Sequence, residues 1–137
     1  MNFIWSQNNN RNPGQQIINR NRRNEVGSST WGPRAWSQFH TTALHYRPSS
    51  QTQASFHMFY YVTFLTYIEC NQCLQDYKNL INLYPIRLQS MCALFEWCTM
   101  IHNQVNQKLG KRIISNDEAY RIWDNSCMNQ SQYTGRC

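Results

Sequence analysis

Ile68-Glu69-Cys70-Asn71-Gln72-Cys73 marks the point where an aromatic, apolar segment gives way to one of helical period. The Cys-x-x-Cys spacing lets the two sulfurs close a disulfide across the first turn of a helix. There the exposed amide groups and the helix dipole favour a thiolate. This setting favours a redox centre. Spacing alone leaves open a structural disulfide or half of a zinc site.

Reading outward, Cys73, Leu74, Tyr77, Leu80 and Ile81 recur at helical spacing and predict a helix over Cys70–Leu83, ended by Tyr84-Pro85. Upstream, Phe56, Phe59, Tyr60, Val62, Phe64, Leu65 and Tyr67 leave little polar face. They predict a helix over Thr52–Tyr67, the most buried of the set. Before it, Ser28-Ser29-Thr30-Trp31-Gly32-Pro33 supplies capping hydroxyls and a first-turn proline for a helix over Trp31–His45. Trp36, Phe39, Ala43 and Leu44 follow its period, and His40 shares the face of Trp36. Downstream, a stripe of Leu88, Cys92, Phe95, His102, Val105 and Leu109 predicts a helix over Ile86–Leu109, stopped by Gly110 and followed by Lys111 and Arg112. Ser115-Asn116-Asp117-Glu118 has the spacing of a capping box and opens a short helix to Trp123. The expected fold is all-α, a four-helix bundle plus a short fifth helix.

With 137 residues the chain is expected to hold one domain, over 30–125, between a flexible basic arm, 1–29, and a polar tail, 126–137. Aromatic content of 14% against 15% charged residues suits a compact helical core. The densest apolar run, Met58–Ile68, falls short of the roughly 20 residues of a membrane span. Met1-Asn2-Phe3-Ile4-Trp5 does not read as a signal peptide. Six cysteines in such a chain point to catalytic, metal-bound or buried thiols. The net charge of +6 is concentrated in Arg11, Arg20, Arg22 and Arg23, opposed there by Glu25 alone. This arm lacks interleaved aromatics and any nucleic-acid fold motif, so a solvated tail is expected rather than a nucleic-acid partner.

The second chemical clue is His102-Asn103-Gln104-Val105-Asn106. Burying an amide without a partner costs about 1–3 kcal/mol, so this helix edge either meets water or bonds a planar heteroaromatic ligand. Cys98 and His102 share a helix face and are the further ligands that a zinc site would need. No second Cys-x-x-Cys or His pair follows at zinc-finger distance, and no metal is expected. Acids are few and no Ser/His/Asp grouping or His-Glu-x-x-His occurs, which argues against hydrolysis. A thioredoxin-like reading would need a βαβ pattern. Cys92 and Cys98 lie on different faces of one helix and are expected to be buried, unreactive thiols.

Three stretches in order, Trp31-Gly32-Pro33-Arg34-Ala35-Trp36-Ser37-Gln38-Phe39-His40-Thr41-Thr42-Ala43, Cys70-Asn71-Gln72-Cys73 and His102-Asn103-Gln104-Val105-Asn106-Gln107-Lys108-Leu109-Gly110-Lys111, resemble the Erv/ALR family of FAD-linked sulfhydryl oxidases. The resemblance covers about residues 30–125, and the short chain looks most like the family's single-domain members from large DNA viruses. It implies a helical bundle holding FAD, paired as a homodimer. Carried over by position, Trp36, His40, Tyr46, His102, Asn103, Asn106, Lys111 and Trp123 would line the cofactor. Cys70 would take the attack of a protein thiol, with a small thiol oxidoreductase as the expected partner. Cys73 would pass the electron pair to the flavin, and oxygen would leave as hydrogen peroxide. The implied location is the host cytoplasm, a viral factory or the virion, with the mitochondrial intermembrane space as an alternative.

Family members with a structural disulfide tie a cysteine just after the Leu-Gly-Lys motif to one near the C-terminus. Here Ser115 or a neighbour stands at the first position, which leaves Cys127 without that partner; Cys127 and Cys137 are left to pair with each other, as a mobile electron shuttle or an idle tail disulfide, or to stay as idle thiols. The competing reading is a non-enzymatic helical interaction protein in which Cys70 and Cys73 only lock a helix start.

Overall fold

The computed structural model describes residues 28–124 and Cys137. The arm up to residue 27 and Cys127 lie outside the described residues. Among those described, every regular element is helical: α1 (Ser28–Leu44), α2 (Ser50–Tyr61), a 3-10 helix (Thr63–Tyr67), α3 (Asn71–Leu83), α4 (Met91–Lys108) and α5 (Asn116–Trp123). Ser28 and Ser29 already belong to α1, so the helix expected from Trp31 starts three residues earlier.

Side-chain hydroxyls begin three of these helices. Ser49, Ser90 and Ser115 accept the N–H groups of Thr52, Ala93 and Glu118. The cap at Ser90 is why α4 starts later than the apolar stripe suggests. Residues 84–90 form a connection, in which Tyr61 Oη accepts the N–H of Ile86 and Trp97 Nε1 donates to the Tyr84 carbonyl. Only half of the expected capping box forms at α5. Ser115 caps, but the Glu118 carboxylate turns away to Arg112 at 2.8 Å. Gly110, at φ +70°, takes the left-handed conformation that ends α4.

The predicted long second helix is two elements. Val62 leaves the helical region at φ −129°, ψ −62°, and the chain continues as a 3-10 helix. The β-branched residues Val62 and Thr63 sit at this break. The change of pitch buries Phe64 and Ile68 while delivering Cys70 to the head of α3. Nor is α2 the most buried helix. Tyr60 is its one buried residue, Met58 is 60% exposed and Val62, just beyond its end, is 58% exposed. The most buried helix is α4, with Leu94, Phe95, Trp97, Cys98, Ile101, His102, Val105 and Asn106 inside.

Phe39 is the hub of the core. Its ring meets those of Trp36, Tyr60, Phe64, Tyr77 and Trp97, with centroids 4.7–6.0 Å apart. Its carbonyl accepts the Tyr60 hydroxyl at 2.7 Å and the Cys98 thiol at 3.6 Å. Tyr77 in turn donates to the Tyr60 carbonyl at 2.7 Å, so the buried hydroxyls are satisfied in a chain running from α3 through α2 to α1. α1 packs along α4, and the 3-10 helix lies against both α1 and α2.

Candidate functional site

Cys70 is the N-cap of α3, at φ −144° and ψ 121°, and is bonded to Cys73 across a Cα separation of 5.2 Å. Its Sγ also accepts the N–H of Cys73 at 3.2 Å. A sulfur at this position sits in the positive field of the helix N-terminus, so a thiolate formed there is stabilised by an amide donor and by the dipole. Cys70 is 8% exposed and Cys73 is 6% exposed, so burial alone does not distinguish an outer from an inner sulfur.

The second cluster is built by α1, α4 and α5. Trp36 stacks on His102 at 3.6 Å and His40 stacks on Trp123 at 3.7 Å, each pair within 9° of parallel. A bond of 2.8 Å between His40 Nε2 and His102 Nδ1 ties the two stacks together. One turn of α1 places Trp36 and His40 on the same face, as the spacing predicted. Burial, and then the neighbouring His102, push the His40 pKa well below its ordinary value, so its ring is held neutral. One ring nitrogen therefore donates in the histidine pair and the other accepts.

The asparagines fold the chain after α4 back onto it. Asn103 uses both ends of its amide on Ile114, donating to its carbonyl at 2.7 Å and accepting its N–H at 3.0 Å. The Asn106 side-chain amide donates to the Arg112 carbonyl at 3.2 Å, and its main-chain carbonyl accepts the N–H of Lys111 at 2.7 Å. His40 Nδ1 and Asn106 Oδ1 are buried at this cluster without a hydrogen bond. Tyr46, just past the end of α1, packs its ring on Phe56 and donates its hydroxyl to the Leu88 carbonyl. Nothing in the sequence signalled Ile114 as the partner that Asn103 engages.

The remaining cysteines depart from expectation. Cys137 is bonded to Cys92 at the first turn of α4, not to Cys127. Cys92 is therefore half of a disulfide rather than a buried thiol. The Tyr120 hydroxyl lies 2.6 Å from Cys137 Sγ while its ring stacks on Phe95, so this bridge leans on α5. Cys98 is the free, buried cysteine among those described, and burial pushes its thiol pKa far up, as an unreactive core cysteine requires.

The described residues thus form an all-helical bundle that carries a helix-capping Cys-x-x-Cys disulfide and a buried His/Trp cluster with unbonded polar atoms, a class of fold and site suited to thiol–disulfide exchange. The Erv1/Alr family model matches residues 33–124, and the chain belongs to that family. The chain is 25% identical over 104 residues to a FAD-linked sulfhydryl oxidase of African swine fever virus, covering 75% of this chain and 87% of the viral protein. It is 29% identical over 98 residues to the FAD-linked sulfhydryl oxidase ERV2 of Saccharomyces cerevisiae, covering 70% of this chain and 50% of the yeast protein. The crystal structure of the FAD binding domain of yeast Erv1 superposes with a TM-score of 0.68 at 24% identity, over 74% of this chain and 98% of that domain. That likeness establishes the fold, an Erv1-type helical domain.

Proposed function

We propose that this protein is a FAD-linked sulfhydryl oxidase that converts pairs of protein thiols into disulfides at the expense of oxygen. The observation that carries the reading is the Cys70–Cys73 disulfide at the N-cap of α3 in a chain of the Erv1/Alr family. The His/Trp cluster fits a flat heteroaromatic group: two stacked aromatic pairs supply ring surface, and His40 Nδ1 and Asn106 Oδ1 are buried atoms still needing a partner. Trp36, His40, His102, Asn106 and Trp123 are the residues that would hold it, with Lys111 at the edge. Asn103 would act through the loop it pins at Ile114. FAD bound there supplies a two-electron acceptor that oxygen reoxidises, with hydrogen peroxide as product.

The steps on the protein balance as thiol–disulfide exchange. A substrate thiolate bonds to Cys70 Sγ, the Cys70–Cys73 bond breaks, and its electron pair goes to Cys73 as a thiolate. A second substrate thiolate then attacks the substrate sulfur of the mixed disulfide and expels Cys70. The Cys73 N–H and the head of α3 stabilise that leaving thiolate, which speeds its departure. The substrate leaves as a disulfide, and the two electrons and two protons it gives up remain on Cys70 and Cys73 as a dithiol.

We place the active unit at residues 30–125. The homodimer expected of the family is supported by the apolar side chains of Met58 and Val62, which the fold leaves uncovered. A small thiol oxidoreductase is the proposed partner, and an infected host cell's cytoplasm or viral factory is the proposed place of action. No helix among the described residues is long and apolar enough to cross a membrane. The direct test uses purified full-length protein, which should be yellow, bleach when a dithiol is added without oxygen, and consume oxygen with a dithiol to yield peroxide. Colourless protein with no oxygen uptake would sink the reading.

A further inference from the structure

We infer that a groove along α1 receives the polypeptide flanking the substrate cysteine and that Arg34 and Glu69 select its charge order, an inference resting on the oxidase reading above. The groove, about 380 Å³, lies between Trp31, Arg34, Ser37 and Gln38 of α1 and Thr66, Tyr67 and Glu69. Glu69 adjoins Cys70 in the chain, and Thr66 and Tyr67 lie within four residues of it, so the groove leads towards a disulfide that is itself nearly buried. A thiolate must approach the S–S bond closely to displace a sulfur, and here that approach runs beside the groove wall.

The lining suits an extended polypeptide. The half-buried Tyr67 supplies ring surface above a floor closed by the buried Trp31, while Ser37, Gln38 and Thr66 are exposed and able to pair with backbone amides and carbonyls. Two opposite charges look into it, and neither is engaged: the ion pairs among the described residues are Lys108–Asp76 and Arg112–Glu118. Glu69 is next to Cys70, so a base beside the substrate cysteine meets it, while an acid farther along the peptide meets Arg34. A small dithiol spans neither charge. Protein thiols in a basic-then-acidic context are thus the favoured substrates.

The test compares two cysteine peptides of equal composition, one with lysine beside the cysteine and aspartate at the far end, the other with these exchanged. Full-length wild-type protein should oxidise the first with kcat/KM roughly threefold to tenfold higher. Arg34→Glu and Glu69→Lys should each shrink that ratio, and the double variant should invert it, with every preference fading as salt rises. A lysine neighbour also makes a thiol more reactive by itself, but that effect stays with the peptide and does not invert with the protein's charges. Equal rates for the two peptides, or a ratio that no variant moves, would overturn the groove assignment. Dithiothreitol oxidation by wild-type protein separates that outcome from failure of the oxidase reading itself, which would show as no turnover with any thiol and would overturn both.

Discussion

The two disulfides of this protein have similar geometry at the backbone, with Cα separations of 5.2 and 5.7 Å, yet one closes a loop of sequence separation 3 and the other of separation 45. Opening the short loop at Cys70–Cys73 frees little chain, because α3 continues to hold both residues in place. Such a bond can be cycled without unmaking the fold. Opening the long loop at Cys92–Cys137 returns freedom to a large part of the chain, so its main effect is on the unfolded state. The short one is placed for exchange and the long one for holding α5 and the chain's end against α4.

The largest expected effect is at the short bridge. Cys73→Ser should reduce oxygen consumption with a dithiol to the uncatalysed background while the protein stays yellow, and should trap substrate on Cys70. Near-normal turnover in this variant would erase the distinction between the two bridges. At the long bridge, Cys92→Ser with Cys137→Ser should lower unfolding free energy by up to about 4 kcal/mol on the chain-entropy scale, seen in denaturant titration. Dithiol turnover measured well below the new melting temperature should persist. A fall in turnover without a fall in stability would instead make Cys137 an electron relay.

A third measurement tests the neutral ring at the His/Trp cluster. The His40 pKa is depressed in the folded protein, so the unfolded chain binds a proton that the native one refuses as pH falls below about 6.5. Stability should be insensitive to this residue above that pH. Below it, stability should decline by up to about 1.4 kcal/mol per pH unit until the folded pKa is reached. His40→Gln should flatten this slope, and an unchanged slope would assign the acid sensitivity elsewhere. The smallest effect is local: Gly110→Ala, at φ +70° with nothing within 4 Å of the added carbon, should cost about 1 kcal/mol through backbone strain alone.

Much of the site was legible before the fold was known. The Cys-x-x-Cys pair, its place at a helix start, the shared face of Trp36 and His40, and the His102–Asn106 edge all rest on contacts within a turn or two. Fold class was legible for the same reason, since helical period and stop signals at Gly110 and Tyr84-Pro85 are local. The roles of the two asparagines were less so. Asn103 spends its whole amide on Ile114, and only Asn106 keeps a buried oxygen without a bond.

What the sequence by itself determined, then, is that the chain is helical and which two cysteines bridge across a helix start, because caps, dipoles and spacing act over a few residues. Tertiary structure alone decided that Val62 breaks the second helix, that α2 stays largely exposed while α4 is buried, and that Cys137 reaches Cys92. It also opened the charged groove beside Cys70. Apolar pattern says which side chains need cover but not which neighbours supply it. The first turn of α4 and the chain's last residue meet only when the bundle has closed.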